Sequence, residues 1–131
     1  MVSWDDIEQL AVALPGVEES TTWGNRCWKV KGKTFVWVRP LGRKDRAELG
    51  AAAPDGEIAG LRVGDAEEKA AVVAMVDAAF TIDHFKNYNA VLVHLDEADP
   101  DQIAELVVDA WLCMAPPKLA AAYATEHGLT A

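Results

Sequence analysis

Residues Gly24 to Arg46 read GNRCWKVKGKTFVWVRPLGRKDR. Side chains here alternate with the period of two that marks β-strands. Arg26–Lys31 and Thr34–Arg39 are therefore expected as two strands, joined by a tight turn at Gly32-Lys33. In the first, Trp28 and Val30 share one face while Cys27, Lys29 and Lys31 share the other. In the second, Phe35 and Trp37 are expected on one face and Val36 and Val38 on the other. A strand apolar on both faces belongs in the middle of a sheet or under cover on both sides.

The same segment concentrates charge. Arg26, Lys29, Lys31, Lys33, Arg39, Arg43, Lys44 and Arg46 are eight of the chain's 12 basic residues, and Asp45 is the one acid among them, so the segment carries +7. The remaining four basic and 20 acidic residues carry −16, giving −9 overall. A basic, aromatic hairpin is thus set in an acidic protein.

Upstream, Ser3 is a good N-cap with Asp6 three residues on, and Trp4, Ile7, Leu10, Ala11 and Leu14 form an apolar helical stripe ended by Pro15-Gly16. Val17–Trp23 reads as a strand and Gly24-Asn25 as its turn. Downstream, Pro40-Leu41-Gly42 breaks the hairpin, Arg43–Leu49 suits one or two helical turns, and residues 50–57 form a loop. Ile58–Val63 reads as a strand. Asp65 caps a helix whose stripe is Val72, Met75, Val76, Ala79 and Phe80. Thr81–Asn89 is a polar, aromatic loop, and Ala90–Leu95 a buried strand. Asp99 and Pro100 open a helix striped by Ile103, Leu106, Val107, Ala110 and Trp111. Pro116-Pro117 precedes a last helix over Lys118–Glu126. Strands clustered early and helices late imply one α+β domain over residues 1–131, a two-layer structure with an antiparallel sheet and helices packed on one face.

Composition narrows the function. The chain has 131 residues, half of them apolar, enough for one core without metal or disulfides. No apolar run approaches a membrane span, and the acidic MVSWDDIEQL start is no signal peptide. Cys27 and Cys113 match no metal or redox spacing. A reduced, cytoplasmic protein is expected, with a monomer favoured, no cofactor and no membrane partner. There is no phosphate-binding loop, dinucleotide fingerprint or nucleophile elbow.

In this order, the chain resembles the MmcQ/YjbR-like family. The resemblance rests on Leu14-Pro15-Gly16-Val17-Glu18-Glu19, Trp23-Gly24, the run Trp28 to Phe35, Phe80-Thr81, His84-Phe85, Val91-Leu92-Val93, Asp109-Ala110-Trp111 and Lys118-Leu119. It implies a small α+β fold of the double-wing, CyaY-like type, and family members are commonly labelled DNA-binding.

The basic hairpin is the first candidate site. Arg26, Lys29, Lys31, Lys33, Arg39, Arg43, Lys44 and Arg46 are expected to contact nucleic-acid phosphates, weakly and without sequence preference, since no base-reading helix is evident. An exposed tryptophan among Trp23, Trp28 and Trp37 would add a stacking surface. The bland reading is a solvated hairpin face and buried tryptophans, the usual fate of large aromatics in strands. The alternative partner is an acidic protein or small anion docked by an adaptor. Trp23, Trp28, His84 and Tyr88 form a possible ligand-binding set. An enzyme would use the His84 loop, with His84 as a base, but a structural histidine explains it more simply. Cys27 beside Arg26 is more simply an apolar filler than a nucleophile. The acids around Asp99 are caps rather than a calcium loop.

Overall fold

The computed structural model describes residues 2–128. Its elements in order are α1 (Trp4–Val12), β1 (Val17–Thr22), β2 (Asn25–Val30), β3 (Lys33–Val38), α2 (Arg43–Leu49), β4 (Ile58–Arg62), α3 (Ala66–Met75), β5 (Ala79–Phe80), β6 (Ala90–His94), α4 (Pro100–Met114) and α5 (Pro117–Glu126). The strands form one sheet in the order β1-β2-β3-β4-β6-β5, with every neighbouring pair antiparallel. Helices α1, α3 and α4 pack on one face, so the expected two-layer α+β architecture holds.

The caps form as the sequence suggests. Ser3 and Asp6 close a reciprocal capping box on α1. Asp65 and Asp99 accept the backbone N–H three residues on, from Glu68 and Gln102, and Pro100 takes the first turn of α4. Under these helices, Ile7, Trp28, Val36, Leu61, Val93, Val107 and Trp111 form the main core. Trp4 stacks on Trp28 at 6.1 Å, and the Trp111 indole N–H donates to the Pro15 carbonyl at 3.1 Å. That bond joins residues 96 apart and ties α4 to the turn between α1 and β1.

Three local readings need correction. The hairpin turns fall one residue early, at Trp23-Gly24 and Lys31-Gly32. All four residues have positive φ (55°, 79°, 49° and 84°), the pattern of the two-residue type I′ turn that matches strand twist. Lys33 therefore opens β3 rather than lying in the turn. Second, α3 ends at Met75, because Val76 is already extended. Met75 is 77% exposed, and Ala79-Phe80 pair with Val93 and Leu92 as the sheet's edge strand instead of continuing the helical stripe.

The third correction matters most. Between β2 and β3 the register slips by one residue: Trp28 faces Val36, but Lys29 faces Thr34, leaving Phe35 as the extra residue of a β-bulge. Phe35 and Val36 both enter the helix-facing core, and Trp37 turns to the opposite face. Phe35 and Trp37 thus lie on opposite sides of the sheet.

On that opposite face, Trp37 lies directly over Gly60 of β4. A Cβ on Gly60 would sit 2.3 Å from Trp37 Cε2, closer than non-bonded carbons tolerate. Gly60→Ala should therefore lift the indole from the sheet and cost about 1–3 kcal/mol, the usual scale of overpacking. A urea titration followed by tryptophan fluorescence checks this. An unchanged midpoint and spectrum would show that Trp37 does not depend on the glycine.

Candidate functional site

The face of the sheet opposite α1, α3 and α4 is only half covered, and α2 lies at its edge through Leu49. Over β4 and β6, Ile58, Leu92 and Ala90 pack under Ile82 and Phe85, with Leu41, Leu49 and Phe80 around them. Over β1 to β3 the face stays open. A cleft of about 610 Å³ lies at the boundary. Its floor is Cys27, Thr34 and Trp37, the 82–88 loop supplies His84, Phe85 and Tyr88, and Trp23 and Arg39 stand at one end.

The loop wall is held from two sides. The Glu48 carboxylate of α2 accepts the Asp83 N–H at 2.9 Å. From α3, the Lys69 ammonium donates to the carbonyls of Phe85 and of Tyr88, the latter at 3.0 Å. Burial lowers the Lys69 pKa. Tyr88 sits between Trp37, edge-on at 6.4 Å, and the Arg62 guanidinium, 4.6 Å from its ring centre. The His84 ring lies tilted against Phe85, centroids 5.8 Å apart.

The tryptophans separate cleanly. Trp28 is fully buried and cannot reach a ligand. Trp37 is partly covered and lines the cleft. Trp23, expected to be core, is 95% exposed at the tip of the β1–β2 turn. The reason is local: position 23 is the first central residue of a type I′ turn, whose side chain points away from the sheet it connects.

The eight basic residues do not form one track. Arg26 lies on the helix side, bonded to Glu19 at 2.8 Å and Glu8 at 3.3 Å. Arg39 reaches Asp45 at 3.3 Å, and Asp45 also accepts the Gly42 N–H at 2.9 Å, capping α2. Asp45 is the one buried acidic residue among those described, at 7% exposure. Arg46 approaches Asp55 at 3.5 Å. Lys29, Lys31, Lys33, Arg43 and Lys44 make no ion pair among the described residues. Lys29, Lys31 and Lys33 cluster at one end of the hairpin, while Arg43 and Lys44 start α2 beyond the other.

Sequence reasoning missed the cleft as an assembled feature, and with it the roles of Asn25, Thr34, Arg62 and Lys69. Two signals were present. Gly60, a lone glycine in an apolar strand, marks the close approach of a ring. Asp45, the single acid in the basic stretch, marks a specific partner for an arginine.

The Arg26 hydrogen bond holds the Glu19 carboxyl below its ordinary value of 4.5. A depressed carboxyl contributes stability that is present above its unfolded pKa and lost as pH falls through the folded one. The stability difference between the protein and Glu19→Gln should therefore be present above about pH 4.5 and close below it. Denaturant midpoints at several pH values check this. Lys69→Ala should release the 82–88 loop, raising amide exchange there several-fold while the core strands hold.

Comparisons with known proteins place the chain. The model of the YjbR family matches residues 12–113. Uncharacterized proteins of Mycobacterium tuberculosis (strain H37Rv) and Mycobacterium bovis are each 37% identical over 132 residues, covering 98% of this chain and 100% of their own. The crystal structure of Deinococcus radiodurans protein DR2400, a DUF419 domain, superposes with a TM-score of 0.59 at 18% identity, covering 99% of this chain and 91% of that one. That last likeness concerns the fold.

Proposed function

We propose that this chain, which belongs to the YjbR family, is a cytoplasmic, non-enzymatic binding module that takes nucleic acid on the open half of its sheet, weakly and without sequence preference. One observation carries the reading. Trp23 holds a large aromatic ring almost wholly in water, at a backbone position where Asn, Asp or Gly is the easier choice. It makes no aromatic packing contact among the described residues, so folding gives no return for it. A ring presented this way suits stacking on a base.

The charges support the same surface. Of the five basic side chains without ion-pair partners among the described residues, Lys29 lies on the open face, beside Thr34 and opposite Glu18, while Lys31 and Lys33 stand at the adjoining turn on the helix side and Arg43 and Lys44 open α2. The acids that pair with Arg26, Arg39 and Arg46 leave these five available for phosphates. At physiological salt, repulsion from more distant carboxylates is screened beyond about 8 Å. For the non-enzymatic part, the support is that among the described residues the His84 ring contacts Phe85 and no carboxylate orients it, and the Cys27 thiol meets the Thr22 hydroxyl at 3.4 Å and no base.

Fluorescence anisotropy with labelled single-stranded and duplex DNA at several salt concentrations tests this. Binding should weaken as salt rises. In Lys29→Glu/Lys31→Glu/Lys33→Glu it should fall sharply, with the single-strand salt slope shallower by about 2, the value for three lost phosphate contacts. No binding at low salt would sink the reading and leave an acidic protein or small anion as the partner to seek.

A further inference from the structure

We infer that the cleft beside Trp37 seats one unpaired nucleotide, its base against the aromatic wall and its phosphate toward Arg39. This deepens the nucleic-acid reading and rests on it. Size is the first ground: about 610 Å³ falls within the roughly 300–1,000 Å³ of small-molecule clefts.

Shape is the second. The Trp37 ring is pressed flat by Gly60 and cannot sink further, and Tyr88 is fixed between Trp37 and Arg62. The result is a rigid aromatic corner with an open side, and a planar ring fills it with little loss of freedom on either partner. A duplex offers only the edges of its bases, because their faces are covered by neighbouring pairs. A corner built from ring faces therefore selects a base whose own face is free.

Polar groups are the third ground. The carboxamide oxygen of Asn25 and the hydroxyl of Thr34 have no hydrogen-bond partner among the described residues, and both line the cleft. They supply one acceptor and one donor-acceptor for the edge of a base.

Charge is the fourth. Of the chain's 21 acidic residues none lines the cleft, whereas Arg39 does. Its guanidinium engages Asp45 and the Pro40 carbonyl through Nη1 alone, so Nε and Nη2 remain to bond a phosphate. Asp45 and the Phe85 ring hold that guanidinium at the mouth of the cleft. The nucleotide has two possible sources, a free mononucleotide or one residue of a single strand.

Two-dimensional NMR of the indole N–H signals from the five tryptophans separates them. The probes are adenosine monophosphate, a short oligodeoxyadenylate, and the same oligomer annealed to its complement. The Trp37 signal should move with one or both of the first two, while buried Trp28 stays fixed. Tyr88→Ala, a change at a 44% exposed position that leaves the core intact, should weaken that response about fivefold or more. Movement with the monophosphate alone, no strand being bound, upholds the cleft as a free-nucleotide site and removes the strand-binding reading. Movement with the oligomer alone assigns the strand as source. Strand binding that leaves Trp37 still and ignores Tyr88→Ala overturns the cleft inference while the nucleic-acid reading stands. Trp37 unmoved, with no strand bound, overturns both.

Discussion

The extra residue at Phe35 decides which side chains reach each face of the sheet. Without the bulge, alternation along β3 would place Phe35 and Trp37 on the same face of the sheet. With it, Phe35 and Val36 both serve that core and Trp37 crosses to the other side. The main core gains two large side chains from consecutive positions. The open face gains an indole that nothing on β4 resists, because Gly60 stands opposite. The bulge and the glycine act as one device: the first aims the ring and the second gives it room. Phe85 and Tyr88 then have a ring to pack on, and so the 82–88 loop closes over only half of the sheet.

Electrostatics follows from that geometry rather than from composition. A count of charges suggests one basic surface of +7. Folding divides it, because adjacent strand residues face opposite ways and the hairpin's two ends are far apart. Arg26 falls on the helix side, where Glu8 of α1 and Glu19 of β1 neutralise it. Arg39 binds Asp45 through Nη1 alone, and Asp45 also caps α2, so the pair fixes the guanidinium at the cleft mouth. A buried or half-buried ion pair adds little net stability. Its value here is positional: it keeps an arginine rigid where a flexible lysine would sweep through solvent.

Much of the fold was legible because strong local signals agreed. Ser3 with Asp6 and Asp99 with Pro100 fixed two helix starts, and alternation identified the central strands. The readings that failed were those in which a neighbour decided the outcome. The bulge depends on pairing between β2 and β3, which no periodicity within β3 reveals. The turns slipped by one because a type I′ turn admits Trp23 and Lys31 at its first central position, though both residues disfavour positive φ. α3 lost Ala79 and Phe80 to the sheet because the edge of β6 offered backbone partners that a helix continuation could not match. Of the site, Trp23, His84, Tyr88 and Arg39 were named from sequence, but Trp28 was not distinguishable from them. Burial separates it, and burial is a property of the whole fold.

The segments that carry the family resemblance divide into two kinds when seen in place. Leu14 is core, Pro15 accepts the Trp111 indole, and Glu19 holds Arg26, so LPGVEE and the Asp109-Ala110-Trp111 run lock the two ends of the chain together. Phe85 closes the second, smaller cluster. The Pro15–Trp111 contact spans residues 96 apart, and the Glu19–Arg26 pair joins the neighbouring strands β1 and β2. Trp23 and His84 sit inside the same segments yet secure nothing of that kind: one is the tip of a turn and the other faces the cleft. Of the other cleft-lining groups, Thr34 lies within the segments quoted for the resemblance, while Asn25, Trp37, Arg39 and Tyr88 lie outside them. Family membership and the structural likeness concern the scaffold. The chemistry of the open face comes from side chains that the scaffold does not require.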